Sequence, residues 1–173
     1  MSDPFWQNIF KSDRNSDSHI RLTIQQVQIF KDLSKRELAA IENILHTRKY
    51  LKGETIFREN TPGLGMYIIL KGEVSIIGLN SENEQVDFAR LSDGDFFGEV
   101  SLIDESARSA TAITTSDCEL AAFFRDDLMD ILTKTPKTGN KILMNLAFVI
   151  SRRLKHTNDQ LRHQSGEYHP EVL

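Results

Sequence analysis

The stretch FFGEVSLIDESARSATA, residues 96–112, places a glutamate, Glu99, directly after Gly98 and an arginine, Arg108, nine residues later. The residues around Gly98 and Glu99 are mostly apolar, and a charge buried there without a partner would be costly. The two charges therefore predict a polar partner, which is either another side chain or a ligand.

The residue types in this stretch match the groups of a ribose phosphate. A glycine lets the backbone approach a ligand closely, and the amides that begin a helical turn after Gly98 can point at an anion. The guanidinium of Arg108 presents a rigid fork of donors for phosphate oxygens, whereas the carboxylate of Glu99 can accept a hydrogen bond from a sugar hydroxyl. A nucleotide is the natural candidate. The alternative is that Glu99 and Arg108 pair with each other or with surface groups.

Short apolar or alternating runs on both sides of this stretch predict β-strands. They are separated by turn residues, including Gly53, Gly72 and Gly94, and between residues 48 and 124 they read TIF, MYIIL, EVSII, VDFARL, SATAIT and LAAFF. Many short strands without intervening helices predict an antiparallel barrel or sandwich.

Helical patterns precede and follow the strands. Residues 20–46 predict two helices, the second of which begins at Ser34 with Glu37 in the spacing of a capping box. A short helix over 125–133 and a long helix over 136–163 follow the strands, and a proline at the start of the long helix suits its first turn. The predicted order is helices, strands, helices.

The long helix contains residues that recur at alternating steps of three and four, which is the pattern of a coiled-coil seam and predicts a homodimer. These residues are Ala147, Ile150, Leu154, Thr157, Leu161 and Gln164. The alternative is a helix that packs on its own barrel through Ile142, Leu143 and Leu146, and both arrangements can hold on different faces of one helix.

The chain is predicted to form one domain over residues 20–164, because 173 residues are enough for one full core and too few for two average domains. Residues 1–19 are predicted to be an appendage. Its apolar start, DPFWQNIF, predicts a short helix that docks on its own domain or on a partner, and a polar linker follows. Residues 165–173 are predicted to be a flexible tail.

On these motifs the chain resembles cyclic nucleotide-binding domains. The stretch 96–112, called the cassette below, is similar to their phosphate-binding cassette: Phe-Gly-Glu-Leu-x-Leu, a short loop, Arg, then Ser, Thr or Ala, and Ala. RKYLKGETIFREN (48–60) and MYIILKGEVSI (66–76) resemble the first strands and turn glycines of that family. The resemblance runs over residues 33–161. It implies an α+β fold, an antiparallel eight-stranded β-roll of jelly-roll type with N-terminal helices and a long C-terminal helix over the ligand.

The resemblance also implies roles for particular residues. The residues implied for the cyclic phosphate are Gly98, Val100, Arg108, Ser109 and Ala110, the last two through their backbone. Glu99 would take the ribose hydroxyl, and Phe88 and Leu91 would line the base pocket. The acids Asp104 and Glu105 in the cassette would weaken anion binding if they faced the phosphate, so we expect them to face water.

In the long helix, SRRLKHTND at 151–159 resembles the segment that closes over the base in bacterial catabolite activator proteins. The resemblance implies that Arg153 approaches Glu99 and the ribose. It also implies that Thr157 and Asn158 offer polar groups to the base edge, either from the same chain or from a partner subunit. Because Thr157 is also the polar residue of the seam, a ligand role and a role in dimer register compete for it.

The ligand implied by the resemblance is cyclic AMP. Cyclic GMP is the alternative, because guanine-selective members often carry Thr after the cassette arginine and Ser109 retains a hydroxyl there. No metal is expected, since the five histidines show no paired metal-ligand spacing. The chain shows no nucleophile motif, so it is not expected to be an enzyme.

Composition limits the other partners. A net charge of −4 gives no general attraction to DNA, and no apolar run is long enough to span a membrane. With a single cysteine, Cys118, and no secretion signal, a cytoplasmic location is expected. Only RHQSGEYHPEVL follows Leu161, where bacterial regulators of this kind carry a helix-turn-helix domain.

The sequence therefore predicts a stand-alone cyclic nucleotide sensor or regulatory module that signals to a separate, unknown protein partner through its terminal helices. The alternative is a dimeric interaction module of the same fold with an empty or altered pocket.

Overall fold

The structure is a computed structural model that describes residues 14–80 and 82–165. Within these residues, eight strands lie between two pairs of helices, which confirms the predicted α+β fold. The helices are α1 (Arg14–Gln26), α2 (Lys35–Ile44), α3 (Arg125–Lys134) and α4 (Pro136–Ser165). The strands are β1 (His46–Tyr50), β2 (Thr55–Phe57), β3 (Gly65–Lys71), β4 (Val74–Leu79), β5 (Gln85–Leu91), β6 (Phe96–Phe97), β7 (Thr111–Thr114) and β8 (Cys118–Phe124).

The strands form two four-stranded antiparallel sheets, in the orders β1-β8-β3-β6 and β2-β7-β4-β5. Because side chains alternate across a strand, β3 has two buried faces. Tyr67 and Ile69 pack in the cluster between the sheets, whereas Met66, Ile68 and Leu70 pack against the helices. The first sheet is therefore the middle of three layers, and the helices cover its outer face.

Three boundaries differ from the predictions. Helix α1 begins at Arg14, so residues 14–19 of the predicted linker are helical. Strand β1, HTRKY, is mostly exposed and has no apolar pattern of its own; its pairing with β8 makes it a strand. Strand β6, of two residues, is not one of the predicted apolar runs. The predicted N-terminal helix, before residue 14, and most of the predicted tail, from residue 166, lie outside the described residues.

The first half of α4 is fixed on the N-terminal helices. The predicted capping box is present: Ser34 N–H donates to Glu37 (2.7 Å), and Glu37 N–H donates to Ser34 Oγ (3.3 Å). The Glu37 carboxylate also accepts hydrogen bonds from Thr138 Oγ1 (2.9 Å) and Lys141 Nζ (2.9 Å) of α4. One turn further on, the Asn145 side chain donates to the Ile29 carbonyl (3.4 Å). These contacts join α4 to the segment between α1 and β1.

Helix α4 also packs on its own domain through Ile142 and Leu146, which are buried. Its opposite face carries an exposed stripe, called the outer stripe below, that consists of Met144, Ala147, Phe148, Ser151, Leu154, Asn158 and Leu161. Met144 is 73% exposed and Leu154 is 60% exposed. Two residues of the predicted seam have neighbours within the domain: Ile150 packs against the core, and Thr157 lines a cavity. Each of these two residues directly precedes a residue of the outer stripe, Ser151 or Asn158.

Candidate functional site

A cavity of about 730 Å³ lies between the cassette, strands β4 and β5, and helix α4. All but one of the predicted site residues line it: Phe88, Leu91, Gly98, Glu99, Val100, Arg108, Ser109, Ala110, Arg153 and Thr157. The exception is Asn158, which lies on the outer stripe of α4 instead. The fold therefore gathers residues that are up to 69 positions apart in the chain, from Phe88 to Thr157, around one space.

Gly98 begins the predicted helical turn, a short 3₁₀ turn over Glu99–Leu102. Its φ of 74° lies in the left-handed region, which L residues with side chains rarely adopt. A Cβ atom at this position would also lie 2.6 Å from Arg108 Nη1. Both the turn and the approach of the arginine therefore require a glycine here.

Arg108 is buried, with 6% of its surface exposed, and neutral groups hold its guanidinium. Nη1 donates to the Gly98 carbonyl (3.2 Å) and to Ser101 Oγ (2.9 Å), and Nη2 donates to the Gly65 carbonyl (2.7 Å). The guanidinium lies 4.0 Å from the centre of the Phe57 ring. Its Nε atom is buried and has no partner among the described residues.

No group that carries a negative charge is hydrogen-bonded to Arg108 among the described residues. Burial lowers the pKa of its guanidinium, while Tyr67 and Glu99 oppose that shift, and an arginine in a protein keeps its charge. A buried charge is costly unless an opposite charge comes close. The hydrogen-bond acceptors of Arg108 are two carbonyls and a hydroxyl, all of them neutral, and the residue lines the cavity.

Glu99 does not pair with Arg108. The Glu99 residue is 2% exposed, and its Oε1 accepts a hydrogen bond from Arg153 Nη1 at 2.5 Å. Its Oε2 is buried without a partner among the described residues. The alternative of a Glu99–Arg108 pair is therefore wrong, and Glu99 presents a buried acceptor in the cavity wall.

Arg153 links α4 to the cassette side of the cavity, as the resemblance implied. Besides its bond to Glu99, it donates to the Phe96 carbonyl (3.1 Å) and lies 5.2 Å from the centre of the Phe96 ring. One turn later, Thr157 Oγ1 donates to the Arg153 carbonyl (3.0 Å). The Thr157 hydroxyl has thus used its only proton and can only accept from a ligand.

The far end of the cavity has an apolar wall and a polar wall. Ile76, Phe88, Ala89 and Leu91 form the apolar wall from strands β4 and β5. Arg152, His156 and Gln160 of α4 face them beside Thr157. Sequence reasoning missed these three residues and Phe57. Helical spacing from Arg153 and Thr157, at steps of three and four, was the signal that could have found His156 and Gln160.

The cassette acids turn away from the cavity, as predicted. Asp104 accepts from the backbone N–H (3.1 Å) and the Oγ (2.6 Å) of Ser106, and these bonds lower the pKa of the Asp104 carboxyl. Glu105 pairs with Arg125, the first residue of α3, at 2.7 Å. Both acids are exposed and neither lines the cavity, so neither repels an anion beside Arg108 at close range.

The described part of the chain contains neither a metal-binding cluster nor a membrane-spanning helix. No group of three or more His, Cys, Asp or Glu residues there could hold a metal ion. No helix there is long and apolar enough to cross a membrane.

Comparisons with known proteins agree with the geometry. A family model for the cyclic nucleotide-binding domain matches residues 47–135. A cyclic AMP receptor protein of Thermus thermophilus is 31% identical over 133 residues, which are 77% of this chain and 60% of that protein. The chain thus spans less than two thirds of that relative's length.

Two solved structures are similar over most of this chain. The catabolite activator protein of Thermus thermophilus has a TM-score of 0.72 and 30% identity, over 80% of this chain and 63% of that one. A cyclic nucleotide-binding domain from Methylobacillus flagellatus has a TM-score of 0.76 over 92% of this chain and 88% of that one. Its identity is 24%, so this second likeness shows the fold alone.

Proposed function

Because the chain belongs to the cyclic nucleotide-binding domain family, we propose that its cavity binds cyclic AMP and that the protein is a regulatory module rather than a catalyst. The bound nucleotide extends from the cassette, which holds the cyclic phosphate, to the far end of the cavity, which holds the base.

A pair of unpartnered atoms carries the proposal. Arg108 Nε is a buried donor and Glu99 Oε2 is a buried acceptor, and both residues line the same cavity. Buried polar groups without a partner are rare in folded proteins, and each unpaired group costs about 1–3 kcal/mol. A ligand that accepts from Arg108 and donates to Glu99 removes both costs.

A ribose cyclic phosphate has these two functions. Its phosphate is a negatively charged acceptor for the buried guanidinium, whose present hydrogen-bond acceptors are all neutral. Its 2′-hydroxyl is a donor for Glu99 Oε2. Glu99 has to contact the sugar rather than the phosphate, because a carboxylate and a phosphate repel each other. The backbone of Ser109 and Ala110 continues the phosphate site next to Arg108.

Cyclic AMP is the preferred nucleotide, with cyclic GMP as the competitor. The relative from Thermus thermophilus is named a cyclic AMP receptor protein. In addition, Thr157 can only accept at the base end, which suits the amino group of adenine better than the carbonyl oxygen of guanine. Phe88 and Leu91 supply the apolar surface on which the base lies.

The output of binding is proposed to travel through α4 and the N-terminal helices. Arg153 joins α4 to Glu99, the residue proposed to bind the ribose, so a ligand at Glu99 changes the contacts of the helix. The first half of α4 is tied to the N-terminal helices through Glu37 and Asn145. A separate protein partner in the cytoplasm would recognise the position of these helices.

The outer stripe of α4 is proposed to form a homodimer. Met144, Phe148 and Leu154 are large apolar residues exposed along one face, and Ser151 and Asn158 interrupt them. Polar residues in such a seam set the register of the two helices. In this arrangement Asn158, rather than Thr157, sets the register, and it approaches the base bound in the second subunit.

Thermal unfolding with added nucleotides tests the proposed function. Cyclic AMP at 100 times its dissociation constant should stabilise the native state by about 2.7 kcal/mol, which raises the Tm by about 5–10 °C for a domain of this size. Linear AMP, which carries a further negative charge and lacks the cyclic ester, is the control and should have a much smaller effect. An unchanged Tm with millimolar cyclic AMP and cyclic GMP would favour the empty-pocket interaction module instead.

A further inference from the structure

Helix α4 brings two polar side chains with no hydrogen-bond partner among the described residues to the base end of the cavity. These are His156 and Gln160. Of the other polar groups on this face, Arg153 holds Glu99 and the Phe96 carbonyl, and Thr157 donates to the Arg153 carbonyl. The guanidinium of Arg152 lies 5.8 Å from the centre of the ring of Phe148, a residue of the outer stripe. Two polar groups are therefore left to read a base that enters between α4 and β5.

Gln160 has the right position along the helix. It follows Arg153 by seven residues, about two turns of helix, and Arg153 marks the ribose end of the cavity through Glu99. Side chains on a helix tilt toward its N-terminus, so a long side chain at 160 covers the turn that holds His156 and Thr157. Across the cavity lies the apolar wall of Phe88 and Leu91. The amide of Gln160 thus reaches the edge of a base lying on that wall.

The amide also has the right chemistry for adenine. It offers an acceptor and two donors on one rigid plane. The adenine edge presents an amino donor beside a ring nitrogen acceptor, and glutamine matches this pair with two hydrogen bonds. The N7 edge of guanine presents two acceptors, O6 and N7. The acceptor of the amide, like the Thr157 oxygen, would therefore face another acceptor on that edge.

We propose that Gln160 is the base-selecting residue of the site and that its amide pairs with the amino group and neighbouring ring nitrogen of adenine. This inference rests on the proposed binding of a cyclic nucleotide. It assigns the choice between adenine and guanine to α4, two turns beyond the ribose contact, rather than to the cassette.

The test removes the Gln160 amide and the 6-amino group of the ligand in turn and compares the binding affinities. Cyclic AMP and 3′,5′-cyclic purine riboside monophosphate, which lacks the 6-amino group, are titrated into the wild type and Gln160→Met. Methionine keeps the length of the side chain and removes its hydrogen bonds. We expect Gln160→Met to weaken the binding of cyclic AMP about tenfold and the binding of the purine analogue less than about threefold. The affinities of the variant for cyclic AMP and cyclic GMP should also be closer together than those of the wild type. Lys155→Met, an exposed position on α4 outside the cavity lining, is the control and should change neither affinity.

The contradicting outcomes separate the two proposals. Suppose that the wild type binds cyclic AMP, but Gln160→Met weakens the binding of cyclic AMP and of the purine analogue equally, or changes neither affinity. Gln160 then does not contact the amino group, while the proposed function stands. If the wild type binds no cyclic nucleotide, both the proposed function and the base-selecting role are wrong.

Discussion

The salt bridge between Arg153 and Glu99 makes a quantitative prediction for the variant Arg153→Met. The substitution leaves both oxygens of the buried Glu99 carboxylate without a partner and removes the hydrogen bond to the Phe96 carbonyl. A hydrogen bond to a charged group contributes about 1.5–3 kcal/mol. Because the Arg153 side chain is 49% exposed, water replaces part of this contribution, and we expect a net loss of about 2 kcal/mol.

Equilibrium unfolding in urea and by heat measures this loss. For a domain of this size, a decrease of about 2 kcal/mol in the free energy of unfolding lowers the Tm by about 4–8 °C. Arg152→Met is the matched control: Arg152 lies on the same helix, 5.8 Å from the Phe148 ring centre, and should change stability by less than about 0.5 kcal/mol.

The double variant Glu99→Gln with Arg153→Met separates a lost salt bridge from lost packing. Glutamine is neutral, so it costs less to bury without a partner, and the double variant should recover most of the stability that Arg153→Met loses. An Arg153→Met protein as stable as the wild type, or a double variant as unstable as Arg153→Met alone, would show that Glu99 does not depend on Arg153.

Three further substitutions have definite expected results. Gly98→Ala should lower the free energy of unfolding by about 1–2 kcal/mol, because alanine is strained at a φ of 74° and its Cβ crowds the Arg108 side chain; wild-type stability in urea would contradict this. Leu154→Asp should convert the proposed dimer to a monomer in sedimentation velocity. Leu22→Asp, an equally exposed control on α1, should leave the dimer intact. An unchanged dimer in Leu154→Asp would exclude the outer stripe as the dimer interface. The Ser34 backbone N–H and then Lys141 lower the pKa of Glu37 from 4.5 to about 2. Its stabilising contribution is therefore present above about pH 4.5 and lost as the pH falls toward about 2, so Glu37→Gln should cost about 1–2 kcal/mol at pH 7 and almost nothing at pH 2. A constant difference from pH 7 to pH 2 would contradict this.

The sequence was most informative where chemistry and backbone conformation are local. The cassette contains its own turn glycine, its acid and its arginine, so Gly98, Glu99 and Arg108 could be predicted together. The capping box at Ser34 and Glu37 depends on residues three positions apart, and it is present as predicted. The β-roll followed from the short apolar runs together with the family resemblance.

The features that sequence missed depend on contacts between distant residues. The HTRKY segment has no apolar pattern of its own, so only the family resemblance from residue 48 onward indicated a strand there, and its pairing with β8 forms the strand. The partner of Glu99 comes from α4, 54 positions later, and spacing alone could not choose between Arg108 and Arg153. The phase of α4 depends on which face packs on the domain, and this decides that Thr157 faces the cavity while Asn158 lies on the outer stripe.

Arg108 is the proposed phosphate ligand, and a calorimetric titration of cyclic AMP into the wild type and Arg108→Ala tests this role directly. The substitution removes charge-assisted hydrogen bonds worth roughly 2–4 kcal/mol, so the affinity should fall about 30-fold to 1,000-fold. Arg108→Lys, which keeps the charge without the fork of donors, should bind with intermediate affinity. Arg36→Ala, at an exposed arginine of α2 outside the cavity lining, should bind like the wild type. Circular dichroism should show that the variants are folded. No binding by the wild type at millimolar cyclic AMP, or equal affinity in the folded Arg108→Ala variant, would contradict the account.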